Sequence, residues 1–270
     1  MQLRPPLRLG TSTPTPTDYE WSDTNCVDRY FLADFSSTDY TYTTEKLGHV
    51  FTAAGTHVPL SGIAGPSGGN LTGIRSSYAT TGGSTDGNKL LYSLSTTEYD
   101  LAAGDNFSIL YQFKSPTDQK GNTSNIYLWD LTSEGATYRG VAIEHSISRW
   151  RVYVVDNAGV LHSSLWGNGG PLWKDGVFYT VVWRFDRSLT KATLSYKAEG
   201  GSWVNVPAGD VSISGSNLSA LGAITFSGST NPRLAIMGYN SPSNMILGFT
   251  GTLYQFAFAK NLTYLPTTVP

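Results

Sequence analysis

Past Asn88, apolar and polar residues alternate in short runs. Phe107, Ile109, Tyr111 and Phe113 are interleaved with Ser108, Gln112 and Lys114, the two-residue period of a half-buried strand. Trp150, Val152 and Val154 alternate with Arg149, Arg151 and Tyr153. Val181, Trp183 and Phe185 share one face of a third run. Residues 126–132, 139–145, 160–165, 192–196, 223–227, 233–238 and 252–260 read as further strands, separated by Gly, Asn, Asp and Ser turn signals such as Asp156-Asn157-Ala158-Gly159. The pattern predicts an antiparallel β-sandwich with almost no helix beyond a short turn at 218–221. Phe107, Ile109, Tyr111, Phe113, Val181, Trp183 and Phe185 are expected to face its core.

The N-terminal part is less regular. Residues 1–19 carry Pro5, Pro6, Pro14 and Pro16, which exclude helix and central strand and favour an extended chain without a core of its own. The expected organisation is an extended arm over 1–30, a sandwich over 31–264 and a tail over 265–270. The arm is either disordered or ordered on a partner, with Leu3, Leu7 and Leu9 as apolar anchors and Arg4 and Arg8 as charge contacts. Residues 61–88 are rich in Gly, Ser and Thr and read as a long loose stretch, functional or disordered.

Composition supports the fold class. Aromatic residues make up 13% of the 270, with 16 Tyr and 7 Trp, and there are 29 Gly, a mixture that suits strands joined by turns. Charged residues are 14% against a usual figure of about 25%. The formal net charge of -2 argues against a phosphate-neutralising nucleic-acid binder. No run approaches the roughly 18 apolar residues of a membrane span. A single cysteine, Cys26, excludes an internal disulfide framework and a multi-Cys zinc site. Residues 1–10 lack an apolar stretch, so the expectation is a chain without a secretory signal, folded in a cytoplasm.

Three segments resemble the laminin-G-like, concanavalin-A-like jelly rolls. They are KLLYSLSTTEYDLAAGDNFSILYQFKSP at 89–116, WKDGVFYTVVWRFD at 173–186 and FTGTLYQFAFAKNLT at 249–263. Phe178-Tyr179 stands where the family often has Trp-His, a departure. The resemblance implies two facing antiparallel sheets in a lectin-like jelly roll, and no single activity.

Candidate chemistry is sparse. Glycosidases on this fold resemble one another in a Glu-x-Asp-x-x-Glu strand, and the nearest run here, Glu98-Tyr99-Asp100-Leu101-Ala102-Ala103, lacks the last acid. His49, His57, His145 and His162 lie in no nucleophile motif. Asp86, Asn88, Asp105 and Asn106 are oxygen donors that a calcium ion could use, or ordinary turn residues. Trp166 and Trp173 flank a glycine-rich loop. They either stack on a sugar, with Asn168 and Tyr239 as further glycan-binding candidates, or close the edge of the sandwich. Arg149 and Arg151, with Arg139 nearby, face an acidic partner or simply solvent.

The expected function is therefore non-enzymatic, with no catalytic residue, no metal and no cofactor. The first reading is a virion structural protein of a bacteriophage, assembled in the host cytoplasm: a capsid decoration, head fibre or tail attachment component. It would display a lectin-like domain, dock on other virion proteins through the arm, and form a homo-oligomer, with trimers or other closed rings the natural form. A cell-surface glycan is its expected external partner; nucleic acid and membrane are not. The alternative is a free carbohydrate-binding module, and a glycosidase or lyase ranks third.

Overall fold

The computed structural model describes residues 26–31, 41–43, 50–54, 60–64, 72–75, 89–93, 97, 99–115, 126–133, 139–146, 149–167, 176–226, 232–236 and 251–260. Every strand pairing among them is antiparallel. One sheet runs β14 (Val204–Asn205), β13 (Thr193–Ala198), β12 (Phe178–Phe185), β7 (Phe107–Lys114), β17 (Thr252–Ala259), β5 (Thr72–Arg75), β4 (Leu60–Ala64), with β1 (Cys26–Phe31) also on β17. The second runs β15 (Val211–Gly215), β11 (Leu161–Trp166), β10 (Arg149–Val155), β9 (Arg139–Ser146), β8 (Ile126–Ser133), β16 (Pro232–Ile236), β6 (Lys89–Ser93), β3 (Val50–Ala54), β2 (Thr41–Thr43).

The alternation in the sequence places the core. Register sets Phe185 opposite Phe107, Trp183 opposite Ile109 and Val181 opposite Tyr111, so each row of side chains crosses from β12 to β7. β17 continues two of the rows with Phe258 beside Ile109 and Phe256 beside Tyr111. All seven residues expected to face the core are at 0% exposure. Val141, Ile143, Trp150, Val152 and Val154 meet them from the second sheet. Phe107 and Phe185 stack with centroids 4.1 Å apart.

The other face of β7 and β12 differs from expectation. Ser108 and Gln112 were read as solvent-facing, yet both are buried, and only Lys114 in that strand is exposed. Leu110, Val182, Ala257 and Ala259 form a second buried cluster with Trp203 packed on it. Gln112 Nε2 donates to Thr180 Oγ1 at 3.1 Å, so two polar side chains partly satisfy each other across the strands. The centre of this sheet is thus covered on both faces.

The stretch 61–88, read as loose, contains most of β4 and all of β5, which pair antiparallel. Gly73 explains the glycine there. A Cβ at this position would lie 2.7 Å from Thr252 Cγ2 and 2.8 Å from the Leu253 carbonyl oxygen, so the residue permits close approach of β17. Residues 223–227, expected as a strand, contribute a single bridge, Leu101 to Ile224. Leu218–Ala220 is a 3-10 turn. The first sheet takes in Cys26–Phe31, of which all but Phe31 fall in the 1–30 span assigned to the arm. Residues 1–25, with Leu3, Arg4, Leu7, Arg8 and Leu9, and residues 261–270 lie outside the described residues. No helix among the described residues is long and apolar enough to cross a membrane.

Two substitutions test this packing. Trp183→Ala is expected to cost about 3–5 kcal/mol and Leu110→Ala about 2–5 kcal/mol in urea unfolding. A Leu110→Ala loss under about 1 kcal/mol, the surface range, would show the second face to be solvated.

Candidate functional site

The sandwich has two unlike ends. At one, turns follow β10 and β12 and the chain enters β7. Asp156 Oδ1 accepts from the Ala158 and Val160 amides at 2.9 and 2.8 Å, fixing the turn after β10, and its Oδ2 accepts from the Gly222 amide at 2.7 Å. Asn157 Oδ1 accepts from the Thr225 amide, and Asp100 Oδ1 from the Phe226 amide at 2.7 Å. Arg187, 4% exposed, donates to the Leu221 and Gly222 carbonyls at 2.6 and 2.7 Å. Burial pulls its pKa below the ordinary arginine value, opposed by the charges of Asp105 and Asp156. Asp100, Asp156, Asn157 and Arg187 are thus engaged in holding the segment 221–226.

Several sequence candidates fall here. Asp100, the acid in the glycosidase-like run, holds a main-chain amide; Glu98 lies outside the described residues. Asp105 Oδ2 accepts from the Ala102 amide at 2.7 Å, and Asn106 Oδ1 from the Arg187 amide at 2.8 Å, both as turn residues. Asp86 and Asn88 lie outside the described residues. Among the described residues no group of three or more His, Cys, Asp and Glu is placed to hold a metal ion.

The described histidines are interior. His145 is fully buried, shares a 2.6 Å hydrogen bond with the Tyr111 hydroxyl, and stacks on Trp150 with centroids 5.2 Å apart. Burial holds its pKa at about 3, so the ring is neutral, and burial pushes the Tyr111 phenol up. His162 Nδ1 donates to the Ser216 carbonyl at 2.7 Å, which leaves Nε2 to accept from Ser164 Oγ at 2.8 Å. A serine hydroxyl on a histidine nitrogen is the beginning of a nucleophile and base pair. Both side chains are at 0% exposure, however, and Ser164 Oγ also accepts from the Ala192 amide. The pair ties β11 to two neighbouring segments and is shut off from substrate. His49 and His57 lie outside the described residues.

At the opposite end the described residues are aromatic. β11 finishes there at Trp166, and β13 reaches it at Tyr196. Both rings are half-buried, with centroids 5.2 Å apart. Trp166 meets the fully buried Trp150 edge-on at 5.3 Å, and Tyr196 does so at 5.5 Å. Trp166 therefore closes the sandwich while part of its surface stays in solvent. Asn168, Trp173 and Tyr239 lie outside the described residues. An open depression of about 260 Å³ lies on the outer face of the first sheet, lined by Phe178, Thr180, Lys197, Glu199 and Gly200.

On the outer face of the second sheet, Arg151 and Tyr153 lie over β9. Tyr153 donates its hydroxyl proton to Glu144 Oε2 at 2.7 Å, and Arg151 donates to the Tyr153 oxygen. The Arg151 guanidinium stands 3.7 Å from Glu144 Oε1. Burial and the Glu144 carboxylate both push the Tyr153 phenol up. Arg151, offered as a contact for an acidic partner, is paired inside the chain; Arg139 and Arg149 are half-buried. Glu144 was not singled out in the sequence, although its place opposite Arg151 follows once β9 and β10 are paired.

No protein-family model matches the sequence, and no curated protein matches it. Solved structures do. The binding domain of botulinum neurotoxin serotype G is similar with a TM-score of 0.53 and 11% identity over 91% of this chain and 50% of that one. A serotype D ligand-binding domain in complex with N-acetylneuraminic acid has a TM-score of 0.52 and 8% identity over 89% and 48%. The binding domain of Paraclostridial Mosquitocidal Protein 1 has 0.52 and 10% over 91% and 51%. The chain spans about half the length of these structures. At such identities the likeness establishes the fold, an all-β sandwich.

His145 makes the fold acid-sensitive. Its native pKa lies below the unfolded value of 6.5, so the unfolded chain takes up a proton first as pH falls. Its stabilisation is complete above that value and is lost as pH drops towards about 3. His162, lowered chiefly by burial, acts in the same direction. Between about pH 6.5 and 5, urea unfolding should show a fall of roughly 1.4 kcal/mol per pH unit from His145. His145→Gln should flatten the slope by one proton; an unchanged slope would show that His145 is protonated in the native state.

Proposed function

We propose that the chain is a non-enzymatic, lectin-like carbohydrate-binding module whose contact surface is the end bearing Trp166 and Tyr196. The carrying observation is that pair of half-exposed rings beside the Gly-Asn-Gly-Gly sequence at 167–170. Aromatic faces take the apolar side of a sugar ring, and amides of a glycine-rich loop reach its hydroxyls. The similar solved structures are binding domains, and one of them holds N-acetylneuraminic acid. The engagement of Asp100 and the burial of the Ser164–His162 pair further favour binding over catalysis.

A glycan array probed with the protein should give sialylated or other cell-surface glycans as ligands. Trp166→Ala, Asn168→Ala and Trp173→Ala should each weaken binding about tenfold or more, equivalent to about 1.4 kcal/mol. A melting curve on each variant separates a lost contact from a lost fold. Absence of any array ligand, or full binding by all three variants, would overturn the assignment.

A narrower reading puts the module on a bacteriophage particle, docked by its N-terminal segment. It is favoured by the prolines of residues 1–19 with their three leucines and two arginines, and by the jelly-roll resemblance of the later segments. An extended segment that orders on its docking site provides reach at an entropic cost, which many copies on a symmetric shell offset. Deleting residues 1–17 should leave the melting temperature unchanged and abolish incorporation into particles. Full occupancy by the truncated protein, or its absence from purified particles, would remove this reading and leave the free lectin.

A further inference from the structure

We propose that the depression on the outer face of the first sheet is a second carbohydrate site, one that takes a single neutral sugar ring. The register of β12 and β13 builds it. Thr180 lies opposite Lys197, and one pair further along the Glu199 amide donates to the Phe178 carbonyl at 2.8 Å. Alternate residues of a strand share a face. Phe178, Thr180, Lys197 and Glu199 therefore stand side by side on one surface of the sheet, and all four line the depression. Tyr196, next to Lys197 in β13, points the other way, toward Trp150. The depression thus lies on the opposite side of the sheet from the aromatic rings, and its assignment does not depend on theirs.

Its walls are held in place by the fold. Phe178, 2% exposed, forms the floor, with the Tyr254 ring beside it at a centroid distance of 5.3 Å. Just past β13 the Gly201 amide donates to the Ala198 carbonyl at 2.9 Å, and Gly200 has a φ of 72°, which closes the tight turn at the rim. The volume of about 260 Å³ lies just under the roughly 300–1,000 Å³ of pockets for drug-sized molecules, so it has room for one ring rather than a chain.

The hydrogen-bonding groups select the ring. Thr180 Oγ1 accepts from Gln112 Nε2 at 3.1 Å, and both side chains are buried. That bond uses the oxygen as acceptor and leaves the hydroxyl proton to donate into the depression. Lys197 adds N–H donors, and the Glu199 carboxylate adds acceptors. Donors and acceptors side by side suit hydroxyls, which give and take a bond each. A carboxylate or phosphate ligand would meet the Glu199 charge, and an ammonium ligand that of Lys197. An apolar ligand would leave the Thr180 proton buried without a partner. A neutral polyhydroxylated ring engages all three groups and turns C–H bonds toward Phe178.

The test is amide NMR of the full chain, titrated with the methyl glycosides of glucose, galactose, mannose and N-acetylglucosamine, and with N-acetylneuraminic acid as the anionic comparison. At least one neutral glycoside should shift the amide signals of residues 198–201 and saturate in the millimolar range expected of so small a ligand. Glu199→Ala and Thr180→Val should each weaken that titration about tenfold or more. A melting curve accompanies each variant. Thr180→Val deprives Gln112 of its acceptor, and should it fail to fold, Glu199→Ala decides alone. No shift at 198–201 up to about 50 mM, well past that range, overturns the proposal. So does an undiminished titration in Glu199→Ala, or a response to N-acetylneuraminic acid alone. The indole N–H signal of Trp166 reports the aromatic end separately. A shift there without one at 198–201 overturns this site and sustains the other; the converse sustains this site alone.

Discussion

Trp150 joins the two sheets. It comes from β10, is fully buried, and touches rings of both layers: His145 and Trp166 from its own sheet, and Phe113, Tyr179 and Tyr196 from the other. Aromatic pairs of this kind contribute about 0.5–1.5 kcal/mol each beyond their burial. The indole also determines what Trp166 and Tyr196 can do. Each commits a surface to Trp150 and keeps the remainder at the rim, so neither ring can swing freely to meet a ligand. A site built on them is pre-organised, and a ligand there would lose less in side-chain ordering. The same constraint links binding to folding, since removing either ring also exposes part of Trp150.

The difference between the two ends follows from where side-chain oxygens are used. Asp100, Asp105, Asn106, Asp156 and Asn157 all accept main-chain amides at the closed end. Segment 221–226 makes one bridge among the described residues, and Asp156, Asn157 and Asp100 accept from its Gly222, Thr225 and Phe226 amides, while Asp105 and Asn106 hold the Ala102 and Arg187 amides. At the end bearing Trp166 and Tyr196 the described residues instead present aromatic surface.

Much of the fold was legible because the inner faces of β7, β10 and β12 are apolar at every second residue. The outer face of β7 was not. Ser108 and Gln112 have the composition of solvated positions, and only the pairing of Gln112 with Thr180 on another strand reveals how they are buried. A periodicity within one segment has no access to such a partner. Gly73 misled for a related reason: a glycine that admits β17 looks in sequence like one that makes a turn. At the candidate site, Trp166 was legible as a strand-ending aromatic beside a glycine-rich loop. Tyr196 was read only as part of a strand, because its proximity to Trp166 depends on β13 and β11 belonging to facing sheets. The Arg151–Tyr153–Glu144 cluster was half visible, as two alternating residues without their acid.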